Sequence, residues 1–344
     1  MSAENEKEIP VAYEQLEELE DDFEDVELEM RECMPMERSR TVARPYPRLG
    51  KEKNDDETDS DVCKVVRQQY NLSKDLYVKR EKVVSQIPGF WPLVVEQCPP
   101  DIDEYIQPQD ANVFMTSLTG LKVDRFELPS GDPRSISIRF EFSENEYFED
   151  RTLEKKFRWR YAKDGWAGLI SEPVPIKWKE GKDLTNGMLD LVCKVYQEDQ
   201  ASAKPNEETE LKKELKKQMD NTGLDGLSFF AWFGFRGRNI SDDEHKEALK
   251  KEEERRKARK EGKKIDEEDM EDDDDDDEYE WEIFPTADDL AVCIAEDLYP
   301  SAIKYFLAAQ EQDGLSDLDF EDDEEDSDEE MGDSEDQPPK KRKA

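Results

Sequence analysis

The side chains of this chain that could do chemistry are carboxylates, and they come in runs. From Asp313 to Asp336 there are fifteen Asp or Glu and no Lys or Arg, with Asp322, Asp323, Glu324, Glu325 and Asp326 in unbroken succession. A segment of that composition buries too little apolar surface to offset its ordering entropy, so it is expected to stay disordered and solvated. The chemistry it offers is electrostatic capture of a cationic macromolecule, not catalysis. Ser327, followed by Asp328-Glu329-Glu330, fits an acidophilic kinase site, and a phosphate there would deepen the polyanion. Behind the run, Lys340, Lys341, Arg342 and Lys343 read as a nuclear import address, with shuttling to the cytoplasm left open. In a nucleus the abundant cationic proteins are histones, so core histones are the expected partner.

Two further blocks carry most of the remaining charge. Asp266 to Glu282 contributes −14, and the first thirty residues contribute −12 through thirteen acids against Lys7. With the −15 of the C-terminal run, the three blocks account for all but about one unit of the net −42. The molecule is therefore expected to be a nearly neutral body bearing three acidic segments, a pattern of local polyanionic binding elements. A single histidine, His245, and five cysteines without CxxC spacing argue against a metal site or a His-based catalytic site, and no cofactor is expected. No nucleophile–base pair or phosphate loop stands out, so an enzyme is not expected. No apolar run approaches the roughly 20 residues a membrane span needs.

The elements that must position these charges follow from periodicity. Leu16, Leu19, Phe23, Val26 and Met30 alternate spacings of three and four, a heptad seam in an otherwise acidic helix. Prolines and a Gly/Asp/Asn-rich patch interrupt it at 31–61. A second helical pattern then runs through Val62, Val66, Tyr70, Tyr77, Val83, Val84 and Ile87 until Pro88-Gly89 ends it. An amphipathic helix of about 27 residues, about 40 Å long, needs a partner. A dimer with a second copy and packing along its own domain are the two solutions, and Leu16, Leu19, Phe23, Val26, Val66, Tyr70, Tyr77 and Val84 are the candidate dimerisation residues. Short helices are expected at Phe90 and over Asp110–Leu118. Strands follow: Leu121 to Leu128 with a slip between Val123 and Phe126, then Ile136 to Phe142, Phe157 to Tyr161, and Val174 to Trp178. The expected class is α+β, a long dimerisation helix followed by an antiparallel meander with one face covered by helices. Residues 241–264 read as an exposed charged helix supported by Glu247→Lys251, Glu252→Arg256 and Glu253→Lys257, with a nucleic-acid contact as the sharper alternative.

Five segments in order resemble the nucleosome assembly protein family. They are Ile87-Pro88-Gly89-Phe90-Trp91, Phe140 to Phe148, Ile176 to Thr185, Ser228 to Phe233, and Asp297-Leu298-Tyr299-Pro300 with Tyr305-Phe306. The compactness and the Trp-Phe choice are similar to the SET, or template-activating factor I, branch. The resemblance implies homodimers joined by a long antiparallel helix pair, each protomer carrying an "earmuff" α+β domain whose acidic surface and tail receive core histones. It implies an ATP-independent histone chaperone acting in nucleosome assembly and chromatin remodelling, touching DNA only through histones. The alternative is a regulatory inhibitor or cofactor of a chromatin enzyme, a phosphatase or a histone acetyltransferase. The division expected is 1–87 for the helical N-terminus, 88–235 with 283–310 for the histone-binding domain, 236–282 for a charged insertion, and 311–344 for the tail. Asp183 and Thr185, in the matched Gly-Lys-Asp-Leu-Thr run, are candidates for the folded contact surface, against the alternative that they cap or turn the chain.

The chain departs from the family pattern in three places. The interruption at 31–61 is either a loop insertion or sequence foreign to the mature chain. Glu146 stands where proline is usual, and 236–280 is a longer charged insertion than the branch carries.

Overall fold

The computed structural model describes residues 5–33, 56–202, 208–222, 226–260 and 281–312. The acidic N-terminal block forms α1 (Asn5–Cys33), and the second apolar pattern forms α2 (Asp56–Val84). The two helices lie antiparallel: Asp22 pairs with Lys79 at 3.4 Å, while Phe23, one residue on, meets Tyr77, two residues back, at a ring distance of 5.2 Å. Ala12, Leu16, Leu19, Phe23 and Met30 of α1 are buried, as are Val66, Val83 and Val84 of α2. Burying each of these Val, Leu, Phe and Met side chains contributes roughly 1.5–3 kcal/mol, which is what holds an otherwise anionic helix in place. Val26 and Tyr70 are half-buried.

Helix α2 stops at Pro88-Gly89. Gly89 sits at φ +76°, a left-handed conformation open to glycine, and caps α3 (Phe90–Glu96). Short α4 (Pro100–Asp103) and α5 (Pro108–Ser117) follow, the latter opened by a reciprocal cap between Gln107 and Asp110. Four strands then form an antiparallel sheet in chain order: β1 (Leu118–Asp124), β2 (Ile136–Phe142), β3 (Thr152–Tyr161) and β4 (Ala167–Ser171). The register runs Phe140↔Leu121, Phe140↔Leu153 and Trp159↔Leu169. Ile136, Ile138, Phe140 and Phe142 are all buried, as their alternation requires.

Two strand expectations are corrected. Phe126 to Leu128 form a turn instead of continuing β1, whose irregularity lies between Leu118 and Gly120. The fourth strand is Ala167–Ser171, and Val174 to Trp178 contributes only the isolated bridge of Trp178 to Phe148. Flanking prolines at 173 and 175 deny that stretch the donors a ladder needs.

After the sheet come α6 (Met188–Ala201), α7 (Glu210–Asn221), a 3₁₀ turn (Phe229–Gly234), α8 (Asp242–Lys260), α9 (Ala287–Cys293) continuing through a π turn (Ile294–Leu298), and α10, residues 302–312. The 3₁₀ turn is the keystone of the core. Phe229, Phe230, Trp232 and Phe233 are buried, with Phe229 against Phe140 at 5.9 Å and Trp232 against Phe157 at 5.3 Å. Four such aromatics within five residues can all be buried because a 3₁₀ turn, with three residues per turn, sends Phe229 and Trp232 to one side and Phe230 and Phe233 to another.

Candidate functional site

A folded acidic ridge runs along α1. Between residues 14 and 29 the exposed side chains include Glu14, Glu17, Glu18, Asp21, Asp22, Glu24, Asp25, Glu27 and Glu29, nine carboxylates with no Lys or Arg among them. Glu14, Glu18, Asp21 and Asp25 recur at spacings of four, three and four, so they form one stripe facing away from the Leu16–Leu19–Phe23 seam. The opposite flank is clasped by α10. Tyr13 stacks on Phe306 at 5.9 Å and its hydroxyl accepts from Gln310 at 2.9 Å. Lys304 reaches Glu20 at 3.3 Å, Glu24 at 3.9 Å and Glu27 at 4.0 Å. Burial pushes the Glu20 carboxyl above its ordinary pKa, with Lys304 opposing.

A second surface joins two of the sequence motifs. The loop carrying Asn145 to Asp150 lies against the one carrying Lys177 to Lys182. Lys179 donates from its backbone N–H to Tyr147 O at 2.8 Å and from Nζ to Asn145 O at 2.6 Å. Glu149 N–H donates to Lys177 O, and the Phe148 and Trp178 rings meet edge-on at 5.8 Å. Glu146, at the position where proline was expected, pairs with Lys182 at 2.8 Å. Asn145 Oδ1 accepts from the N–H groups of Tyr147 and Phe148, so the loop is shaped by an Asx turn.

The Asp183 carboxylate is fully engaged at the start of α6. Oδ1 accepts from Thr185 N–H at 2.8 Å and from its hydroxyl at 2.7 Å, and Oδ2 accepts from Gly187 N–H at 2.7 Å. Thr185 is buried and its hydroxyl accepts from Leu189 N–H at 3.3 Å. The geometry gives this pair a capping role; the exposed polar groups beside them are Glu180, Asn186 and Asp190.

A family model described as nucleosome assembly protein matches residues 12–309, nearly the whole described molecule. The chain belongs to the nucleosome assembly protein family. Among curated relatives, NAP1-related protein 2 of Arabidopsis thaliana is 29% identical over 249 residues, 72% of this chain and 68% of the relative. Vacuolar protein sorting-associated protein 75 of Saccharomyces cerevisiae is 26% identical over 83% of this chain and 88% of its own. Protein SET of Drosophila melanogaster is 37% identical over 36% of this chain and 45% of its own length. A solved structure described as the Vps75 histone chaperone covers 74% of this chain and 94% of its own at 25% identity, with a TM-score of 0.45.

In this family member the structure separates the residues the sequence singled out. Leu16, Leu19, Phe23 and Val84 come together in one buried cluster, inside one chain, whereas Val66 is buried outside that cluster. Asp183 and Thr185 lie at the α6 cap. The tail positions Asp322 to Asp326, Ser327 and Lys340 to Lys343 lie outside the described residues, as does most of the acidic run 266–282.

Four buried charges that hold the frame were missed by sequence reading. Arg80 is buried beneath Phe23, Tyr77, Trp91 and Tyr299, 4.3–5.7 Å from the four ring centres, and its Nη1 donates to Tyr299 O at 2.6 Å and Pro300 O at 3.3 Å. It fastens the end of α2 to the closing segment. Lys155, on β3, is fully buried, and its Nζ donates to the carbonyls of Glu172, Phe233 and Phe235. Burial lowers its pKa to about 7. Nearby, buried Glu282 accepts from the N–H groups of Arg236 and Gly237, and burial raises its carboxyl. Asp110 similarly ties α5 to the 3₁₀ turn, accepting from the Ser228 hydroxyl at 2.6 Å and Phe229 N–H at 2.7 Å. A lysine at an inward position of the β3 alternation was the one available signal.

Proposed function

We propose that this chain is an ATP-independent nuclear histone chaperone acting in nucleosome assembly. The observation that carries the reading is the ridge: nine exposed carboxylates on a helix rigidly seated in a nucleosome assembly protein fold. A histone freed from DNA is a dense cation that aggregates or binds DNA promiscuously. DNA offers about one charge per 1.7 Å of duplex and a gain from counterion release, whereas an extended acidic tail offers at most about one per 3.3 Å. Such an acceptor outcompetes stray DNA contacts yet yields histones to a nucleosome. The stripe of Glu14, Glu18, Asp21 and Asp25 supplies charge at fixed positions, and Asp322 to Asp326 supply it on a tether that speeds encounter. Asp183 and Thr185 act in this reading by shaping the 177–187 surface. Phosphorylation of Ser327 would strengthen the tail, and Lys340 to Lys343 direct nuclear import. Core histones are the partner, a second copy of the chain joins through the α1–α2 region, DNA is reached only through histones, and no catalytic step is involved.

The test is whether the full chain, at physiological salt, keeps core histones from precipitating with DNA and deposits them as nucleosomes. Changing Glu14, Glu18, Asp21 and Asp25 to their amides should weaken histone affinity about tenfold, the sum of four partly screened charges. Deleting 313–344 should chiefly slow association. Histone binding no better than that of an unrelated polyanion would overturn the reading in favour of a regulatory contact with a chromatin enzyme.

A further inference from the structure

One cation in the core has no anion beside it and only part of its hydrogen bonding. Arg80 is 1% exposed; its Nη1 donates to the carbonyls of Tyr299 and Pro300, but its Nη2 meets no acceptor among the described residues. The rings of Phe23, Tyr77, Trp91 and Tyr299 that enclose it are neutral, and no described carboxylate forms an ion pair with it. Rings and carbonyls lower the cost of burying a guanidinium without neutralising it, and an uncompensated buried charge is costly.

Arg80 lines a cavity of about 140 Å³ between α2 and β1, the outer strand of the sheet. Tyr77, Arg80, Glu81, Val84 and Ser85 fall at spacings of three and one, so one face of α2 makes one wall, and Thr119 to Lys122 make the wall opposite. Val84, Trp91 and Leu121 are buried and give the interior an apolar lining. Glu81, Ser85, Thr119, Lys122 and Glu141 are exposed and form the mouth. The volume is close to that of an engineered protein cavity that takes benzene, so only a small group fits.

Charge narrows the group further. The free Nη2–H is a charge-assisted donor, stronger toward an anion than toward a neutral oxygen. Lys122, 3.2 Å from Glu81, adds a second cation at the mouth, while Glu81 and Glu141 oppose a dianion such as phosphate. The geometry points to a binding site for a monoanionic carboxylate on a short aliphatic stem, its oxygen accepting from Arg80 Nη2 and its stem lying against Val84, Trp91 and Leu121. Such a carboxylate could be a free small acid or the side chain of an acidic peptide, and both present the same group. Binding here is independent of histone capture by the α1 ridge.

The test titrates sodium propionate into the full chain at constant ionic strength, with chloride as the balancing anion. The backbone amides of Thr119 to Lys122 and the indole N–H of Trp91 are followed by NMR. Their signals should move saturably, with half-saturation at about 1–10 mM, the range open to a ligand of so few non-hydrogen atoms. Propionamide, the neutral isostere, should bind at least about tenfold more weakly. Ser85→Trp, an exposed change that narrows the mouth, should abolish the shift, and Lys122→Ala should weaken binding about two- to threefold. Arg80→Lys should also weaken it, but Arg80 holds the frame, so the two exposed variants keep the test independent of folding.

An acetylated and amidated Gly-Glu-Gly peptide separates the sources. Saturation by propionate alone marks a pocket for free acids. Saturation by the tripeptide, with or without propionate, marks one that takes a carboxylate carried on a protein. The site is refuted if neither ligand saturates, if propionamide binds as well as propionate, or if the shift survives Ser85→Trp. Loss of histone binding in an unligated control would remove the chaperone reading and leave the carboxylate titration unaffected.

Discussion

Two charged helices sit on the same body and are held in opposite ways. Helix α1 presents nine exposed carboxylates between residues 14 and 29, yet it buries Ala12, Leu16, Leu19, Phe23 and Met30 in a continuous seam. Helix α8 is as densely charged but mixed in sign, and its only buried apolar residue is Ala248, while Leu249 is 37% exposed. It is attached near its start: Tyr161 N–H donates to His245 Nδ1 at 3.1 Å, the two rings stack at 5.9 Å, and Asp242 and Glu247 pair with Arg160 and Lys163. The contrast shows that helix-forming charge and docking are separate properties. A seam every three or four residues makes a charged helix part of the structure; without one, a few polar contacts at one end leave it an appendage.

The largest effects should come from the seam. Phe23→Ala removes a ring that packs on Tyr77 and lies 5.6 Å from the Arg80 guanidinium. It should cost about 3 kcal/mol or more, read by denaturant unfolding, and free α1 to exchange its amides. Leu249→Ala on α8 should stay within about 0.5 kcal/mol. Equal losses in the two variants would erase the distinction. Arg80→Leu comes next. It leaves the Tyr299 and Pro300 carbonyls without their charged donor and removes a cation enclosed by four rings, a loss of about 2–4 kcal/mol. For a folded body of this size that is a melting shift of roughly 6–12 °C.

How much of this was legible follows the same division. The seam was readable because Leu16, Leu19, Phe23 and Met30 obey a period that only burial explains. The sheet was readable from alternation at Ile136 to Phe142. The partner of the seam was not, because periodicity states that a face is covered without stating by which chain. The α6 cap was half legible: Asp183 and Thr185 are types that serve equally as turn formers and as polar contacts, and only their hydrogen bonds to Gly187 and Leu189 assign the first role. Arg80 was not legible at all. It falls on the apolar face of α2 among polar neighbours, and the rings that enclose it come from residues 23, 91 and 299, which no local pattern connects.

The α8 anchor predicts a pH dependence that α1 lacks. Burial first, and then the positive charge of Arg160, hold His245 below its ordinary pKa, with Glu127, Asp132 and Asp242 opposing. A histidine depressed in the folded state contributes stability that is present above about pH 6.5 and lost as pH falls through its folded value. Protonation also removes the acceptor that Tyr161 N–H uses, a hydrogen bond of about 1 kcal/mol. Amide exchange over residues 242–260, corrected for intrinsic rates, should therefore accelerate between neutral pH and about pH 5, while exchange across the α1 seam should change far less. His245→Gln, which retains an acceptor but does not titrate, should flatten the response. An α8 that remains equally protected at low pH would show that it is held by more than its first turns.

Salt gives the smallest effect, and the two helices should respond with opposite signs. Along α1, like charges fall at Glu14–Glu18, Glu17–Asp21, Glu18–Asp22 and Asp21–Asp25, and each such pair opposes the helix by about 0.2–0.5 kcal/mol. Raising the ionic strength to about 0.5 M shortens the screening length to a few ångströms, so α1 should become more protected from exchange. At α8, the Arg160–Asp242 and Lys163–Glu247 pairs, 3.7 and 3.5 Å long and largely exposed on the acidic side, should weaken by a few tenths of a kcal/mol. Histone binding to the ridge should fall over the same range in which the ridge itself grows more stable. That opposition separates a carboxylate stripe kept for binding from one that merely keeps the protein soluble. A soluble decoration would show the gain in helix protection with no matching loss of affinity when Glu14, Glu18, Asp21 and Asp25 are intact.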